Sequence, residues 1–237
     1  MDPARMPGKQ SGAGLCAGYS IAAVMLASLV FAVTAQSDEA IPPDNEHSTR
    51  LASNEPGQDG SAPRRHFRLS NPAKLSNEEA EAVYGEFREK MARGYASSGV
   101  KAAREYQKWQ RYNLAPFRSA THGRRFVNHY ANPLASAYGK FENAGTLPVG
   151  SIIAKDSLAV IDDDKIFPGP LFLMEKMPKG FNYVSADWRY TMIMPDGSLF
   201  GTTNGVGSGK VGFCIGCHLA VEKQDHLYFP PKQYRRK

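Results

Sequence analysis

The sequence predicts an α+β fold, mainly an antiparallel β-sheet with helices N-terminal to it, and three observations carry that expectation. A capped pattern of period 3.6 opens at KLSNEEAEAVYGEFREKM, the period drops to two beyond Gly145, and the later segments are separated by short turns containing Pro, Gly or Asp. With 237 residues the chain can bury a sizeable core.

The N-terminal region stands apart from that core. Arg5 and Lys9 precede an uncharged apolar run from Leu15 to Val33 that ends AVTAQS, with Val33 and Ala35 at the small-residue positions before a cleavage site. Residues 1–35 are expected to be an export signal peptide and the mature protein periplasmic; an uncleaved membrane anchor is the alternative, because the run approaches bilayer length. Residues 36–63 are rich in Ser, Pro, Asn, Gly and acids, with almost no large apolar side chain to repay the entropy of ordering, and read as a disordered linker.

Order is expected from the next segment, a helical extension over residues 64–115. Ser76 and Glu79 have the spacing of a capping box, and Ala80, Val83, Tyr84, Phe87 and Met91 fall on one face of the helix that follows. VKAAREYQKWQRY repeats the pattern through Ala102, Tyr106 and Trp109, as packing residues of a second helix. A third helix is expected in YANPLASAYGKFENAG, with Asn132 as N-cap, Pro133 in the first turn and Leu134, Ala137, Tyr138 and Phe141 as its buried stripe. The segments SIIAK, SLAVI, PLFLMEKM and DWRYTMIM then read as strands. In the last, Trp188, Tyr190, Met192 and Met194 share one face and Arg189, Thr191 and Ile193 the other.

Charge excludes some partners. The formal net charge is +6; residues 1–35 carry +1 and residues 36–62 carry −5, so the balance of +10 lies on the rest. Basic residues without aromatic interleaving do not make a nucleic-acid site; such a surface is either simply solvated or suited to an acidic soluble redox partner. A second copy of the chain is a further partner the sequence allows.

Chemistry concentrates in FCIGCHLAVEKQDHLYFPP. After cleavage of Cys16 the mature chain holds one cysteine pair, Cys214 and Cys217, followed by His218. A structural zinc site lacks a fourth ligand of ordinary spacing, even if His226 reached back. A thioredoxin-like dithiol belongs near a helix start after an early strand. Covalent attachment of haem c is the reading left in front: each thiol adds to a vinyl group and His218 binds the iron. No methionine follows Cys214, so a methionine in the sixth position would have to come from upstream, with Met174, Met177, Met192 and Met194 available. The iron is expected to be five-coordinate.

From about His122 to Pro231 the chain resembles the cytochrome P-460 family, whose relatives include the β-sheet type of cytochrome c-prime. The resemblance rests on RFVNHYANPLASAYGKFENAG, LPVGSIIAKDS, GPLFLMEKM, DWRYTMIMPDG and CIGCH followed by LYFPP, in that order. It implies a haem c domain over residues 116–237, with Cys214 and Cys217 holding the cofactor and His218 its iron. It further implies a lysine nitrogen joined to a meso carbon of the porphyrin, matched here by Lys155, and a distal glutamate over the open iron face, matched by Glu175. Three apolar residues precede Lys155, an environment that lowers an amine pKa. Glu175 shares a strand face with Leu171 and Leu173, where a carboxylate would be desolvated and suited to accept protons; an ion pair with Lys176 or Arg189 is the competing role. His226, in a polar loop, is expected to be solvated.

The function expected on these grounds is oxidation of hydroxylamine, or reaction with nitric oxide, at haem iron in an exported oxidoreductase. The alternatives are a c-prime-like protein that binds nitric oxide without turnover and a simple electron-transfer cytochrome c.

Overall fold

A computed structural model describes residues 68–161 and 165–236. The proposed signal peptide and the linker lie outside the described residues. Among the described residues no helix is long and apolar enough to cross a membrane.

The fold is α+β. Among the described residues there are three α-helices, α1 (Asn77–Ala96), α2 (Lys101–Glu105) and α3 (Ser208–Leu219). Eight strands form one sheet: β1 (Gln110–Arg111), β2 (Phe117–Arg118), β3 (Phe126–Ala131), β4 (Ile152–Ile161), β5 (Lys165–Pro168), β6 (Leu171–Lys176), β7 (Trp188–Ile193) and β8 (Leu199–Thr202). Every pairing is antiparallel along the path β1-β3-β4-β6-β7-β8; β2 also pairs with β3 and β5 with β4. SIIAK and SLAVI are one ten-residue strand rather than two, because Asp156 between them stays in register with Asn128 of β3.

Alternation along the central strands builds two cores, one on each face of the sheet. Tyr130, Ala154, Leu158, Leu171, Leu173 and Ile193 meet Tyr84, Met91, Tyr95 and Tyr106 of the N-terminal helical region. On the opposite face Ile153, Phe172, Met174, Trp188, Tyr190 and Met192 meet Ala135, Tyr138, Val211 and Cys214.

The first helix forms for the reasons its sequence gives. Ser76 Oγ accepts from Glu79 N–H and Glu79 returns the bond to Ser76 N–H, which closes the capping box. Gly94 lets the helix end approach the 194–197 turn, since a Cβ there would collide with the Pro195 carbonyl. The second helix is shorter than its pattern: after a 3₁₀ turn at Tyr106–Lys108 the backbone extends, and Gln110 and Arg111 pair with Ala131 and Tyr130. Here sheet pairing overrides helical propensity.

The segment expected as a third helix is 3₁₀, Pro133–Asn143, interrupted at Phe141, whose φ is +54°. Asn132 caps it as expected, accepting from Ala135 N–H. Its inward face differs from the expected stripe. Ala135 and Tyr138 are buried whereas Leu134 is 57% exposed, because a 3₁₀ repeat rotates successive side chains farther than an α-helical one.

Candidate functional site

The CIGCH segment lies inside α3, where Val211, Cys214 and His218 fall on the buried face at helical spacing. Gly201 of β8 and Gly207 at the helix N-terminus let the two backbones touch; a Cβ on Gly201 would collide with the Gly207 carbonyl, and one on Gly207 with the Phe200 carbonyl. That approach seats α3 against the sheet.

Cys214, Cys217 and His218 line one cavity together with Ile153, Lys155, Phe172, Met174, Tyr190 and Tyr228. The sequence-predicted attachment residues and Lys155 are thus brought together from α3 and the middle of β4. Lys155 is not a strand-end surface residue. It is 3% exposed, opposite His129 on one side and Phe172 on the other. Its Nζ has no hydrogen-bond partner, and burial lowers its pKa to about 7, so near neutral pH much of it is uncharged amine.

Glu175 is not part of this arrangement. Its side chain projects from the face that carries Leu171 and Leu173, outside the cavity lining, and pairs with Arg189, its register partner on β7. About a third of the side chain is exposed. The expected desolvated base is therefore a cross-strand ion pair, because strand alternation turns Glu175 away from Met174 and the cavity.

Thiol chemistry at the site is subdued. Burial, with Cys217 as neighbour, pushes the Cys214 thiol up to about 12. A redox dithiol needs the opposite shift, toward a reactive thiolate. Among the described residues no three His, Cys, Asp or Glu side chains converge to hold a bare metal ion.

His218 is held for a different task. Its Nδ1 lies 2.6 Å from the carbonyl oxygen of His226. A carbonyl can only accept, so Nδ1 carries the proton and Nε2 is the nitrogen with the lone pair, the one able to ligate a metal. Tyr190 and Tyr228 flank the imidazole, with ring centroids 4.9 and 5.1 Å away, and Tyr228 Oη donates to Cys217 O at 3.0 Å. His226 itself is buried, 4% exposed, rather than solvated.

These residues fit a haem. Two thiols one helical turn apart, an imidazole with its tautomer fixed, and two buried unpartnered polar atoms, Lys155 Nζ and Tyr190 Oη, border the same space. Buried polar atoms are rarely left without a partner unless a ligand meets them. A sequence model of the family described as Cytochrome P460 matches residues 103–229, more than half of the chain. The chain belongs to the cytochrome P460 family. It is accordingly a haem-binding protein, and the family match begins within α2, upstream of the point where the resemblance in the sequence starts. A comparison with curated proteins found no match.

Sequence reasoning missed three elements of this P460 site. In the sequence Tyr190 is only one of the residues sharing a face of DWRYTMIM, and Tyr228 only part of the LYFPP block, with no role attached to either. His122 also lines the cavity, 6% exposed, with Nδ1 3.1 Å from Ser119 Oγ and 3.2 Å from Thr121 Oγ1. It comes from the turn before β3, and only its position over Phe172, with centroids 4.8 Å apart, shows its relation to the site.

Proposed function

We propose that this P460 protein holds haem c covalently and oxidises hydroxylamine, with nitric oxide as a related ligand or co-substrate. The observation that carries this reading is the buried, unpartnered amine of Lys155 in the cavity lined by Cys214, Cys217 and His218. Cys214 and Cys217 would each add S–H across a vinyl group, with no net oxidation, and His218 would donate Nε2 to the iron. Bound haem would supply one-electron redox chemistry toward a small nitrogen oxide.

The chain's own residues do the rest. Lys155, uncharged near neutral pH, is a nucleophile poised for the porphyrin bond that the family resemblance implies; replacing N–H and C–H by N–C releases two protons and two electrons, which an oxidant such as hydrogen peroxide must accept. Ile153, Phe172 and Met174 keep the cavity apolar and exclude water. Oxidation of hydroxylamine releases protons, and His122 is the imidazole besides His218 among the described lining residues, so proton acceptance is assigned there rather than to Glu175. Export to the periplasm and electron delivery to a soluble acidic partner complete the proposal.

A second reading, reversible nitric oxide binding without turnover, is favoured by one observation: no carboxylate is among the described residues that line the cavity. The ferrous absorption spectrum separates the readings. A strongly red-shifted Soret band that returns to an ordinary c-type position in Lys155→Leu supports the cross-linked, catalytic protein. An ordinary spectrum in the wild type, with nitric oxide binding and no hydroxylamine turnover, supports the binding protein.

A further inference from the structure

The acceptor that fixes His218 sits in an improbable piece of backbone. Asp225 and His226 are consecutive non-glycine residues with φ of +54° and +60°, a region L side chains occupy only where their surroundings hold them. The hold is visible. Asp225 Oδ1 meets Lys176 Nζ at 2.5 Å, Asp225 Oδ2 accepts from Leu147 N–H at 2.8 Å, and the Asp225 carbonyl accepts from Trp188 Nε1 at 2.9 Å. Lys176 also donates to Ala186 O at 2.9 Å and lies 4.8 Å from the Trp188 ring centroid.

Both partners of this ion pair are at least 90% buried, and neither lines the cavity. Burying two charges is rarely the cheapest way to gain stability, since apolar residues of equal volume do as well or better. What the pair supplies is direction. It ties the 225–226 turn to the last residue of β6 and to the loop before β7, and so sets where the His226 carbonyl points.

We propose that the Lys176–Asp225 pair is a clamp that positions the His226 carbonyl against His218 and thereby tunes the electron donation of His218 to haem iron. The proposal rests on the haem reading above. A short bond from Nδ1–H gives the imidazole partial anionic character, which strengthens the iron–histidine bond and favours ferric iron. Lys176 and Asp225 are positioning residues; they act through His226 and His218.

The test uses the ferrous holoprotein, read by the iron–histidine stretching band in resonance Raman and by the midpoint potential. Lys176→Met is expected to move the band to lower frequency and raise the potential, with about a tenfold change in the ferric-to-ferrous equilibrium, equivalent to about 59 mV for one electron. Lys176→Arg, which keeps the cation, should recover most of both shifts. A folded Lys176→Met protein with lowered thermal stability but unmoved band and potential overturns the clamp. Where Lys176→Met does not accumulate, Asp225→Asn, which keeps volume and the acceptor for Leu147, must shift both readouts in the same direction, and unchanged values there overturn it equally. Wild-type protein isolated without haem overturns the haem reading and the clamp together, whereas a wild-type band that no variant moves overturns the clamp alone.

Discussion

Lys155 and Asp156 are neighbours on β4, carry opposite charges when ionised, and point to opposite faces of the sheet. Both are nearly inaccessible to water, yet the two faces treat them differently. Asp156 is enclosed by donors: Tyr84 at 2.7 Å, Tyr106 at 3.1 Å and Asn128 at 3.1 Å, with Tyr130 bonded to Tyr84 behind them. Burial raises its pKa first of all, and those hydrogen bonds oppose the shift. Lys155 Nζ lies 5.9 Å from the Tyr228 ring centroid and has no hydrogen-bond partner. A buried polar group that is fully bonded belongs to the scaffold, whereas one left bare marks a place where something else binds. The face covered by α1 and α2 is the scaffold, and the face covered by α3 is the site.

The sharpest way to break this division is to remove the proposed attachment residues. Cys214→Ala combined with Cys217→Ala should abolish haem retained after denaturation, an all-or-none change read by mass spectrometry. Haem that stays covalently bound in the double variant would place the attachment elsewhere.

On the scaffold face, Asp156→Ala should strip the acceptor from three buried donors and cost about 3 kcal/mol, measured by urea denaturation. The ferrous absorption spectrum should not move. A shifted spectrum would mean that the two faces are coupled through β4 and not separable.

Lys155→Met, in protein produced without haem, sharpens the contrast from the other side. The folded pKa of about 7 lies below the ordinary 10.5, so between these values the unfolded chain binds the proton that the folded chain has lost. Below about pH 7 the buried charge is borne in full, and wild-type stability should climb as pH rises from 7 to 10.5, by up to about 1.4 kcal/mol for each pH unit crossed. The variant should be more stable at neutral pH and lack that climb. Equal slopes in denaturant titrations of the two proteins would show that Lys155 is solvated in solution.

The smallest effect is expected at Glu175. Its pair with Arg189 is partly exposed, so Glu175→Ala should cost no more than about 1 kcal/mol and leave the rate of the proposed hydroxylamine oxidation unchanged. A large loss of rate would return Glu175 to the reaction and contradict its placement on the scaffold face.

Much of this division is legible in the sequence. The capping box of α1, the period-two pattern of β6 and β7, and Cys214, Cys217 and His218 as site candidates all come from local spacing, whereas Lys155 comes from the family resemblance. β3 was not legible as a strand, because Asn128 and His129 are polar yet buried in FVNHYA, and a strand buried throughout shows no alternation. Glu175 shows the limit from the other direction. Alternation correctly put it with Leu171 and Leu173, but which face holds the cavity depends on where α3 packs, and no local pattern in β6 records that.

The sequence by itself determined which residue types are on offer to a haem: spacing within one helix turn singles out two thiols and an imidazole, and the family resemblance singles out the amine. Only the tertiary structure decided which neighbours each of them has. It left Lys155 bare, turned Glu175 outward, and brought His226 from eight residues beyond His218 to direct its imidazole. The reason is physical: burial and hydrogen-bond partnership are properties of segments distant in the chain that pack together, and local periodicity carries no information about which of those segments will meet.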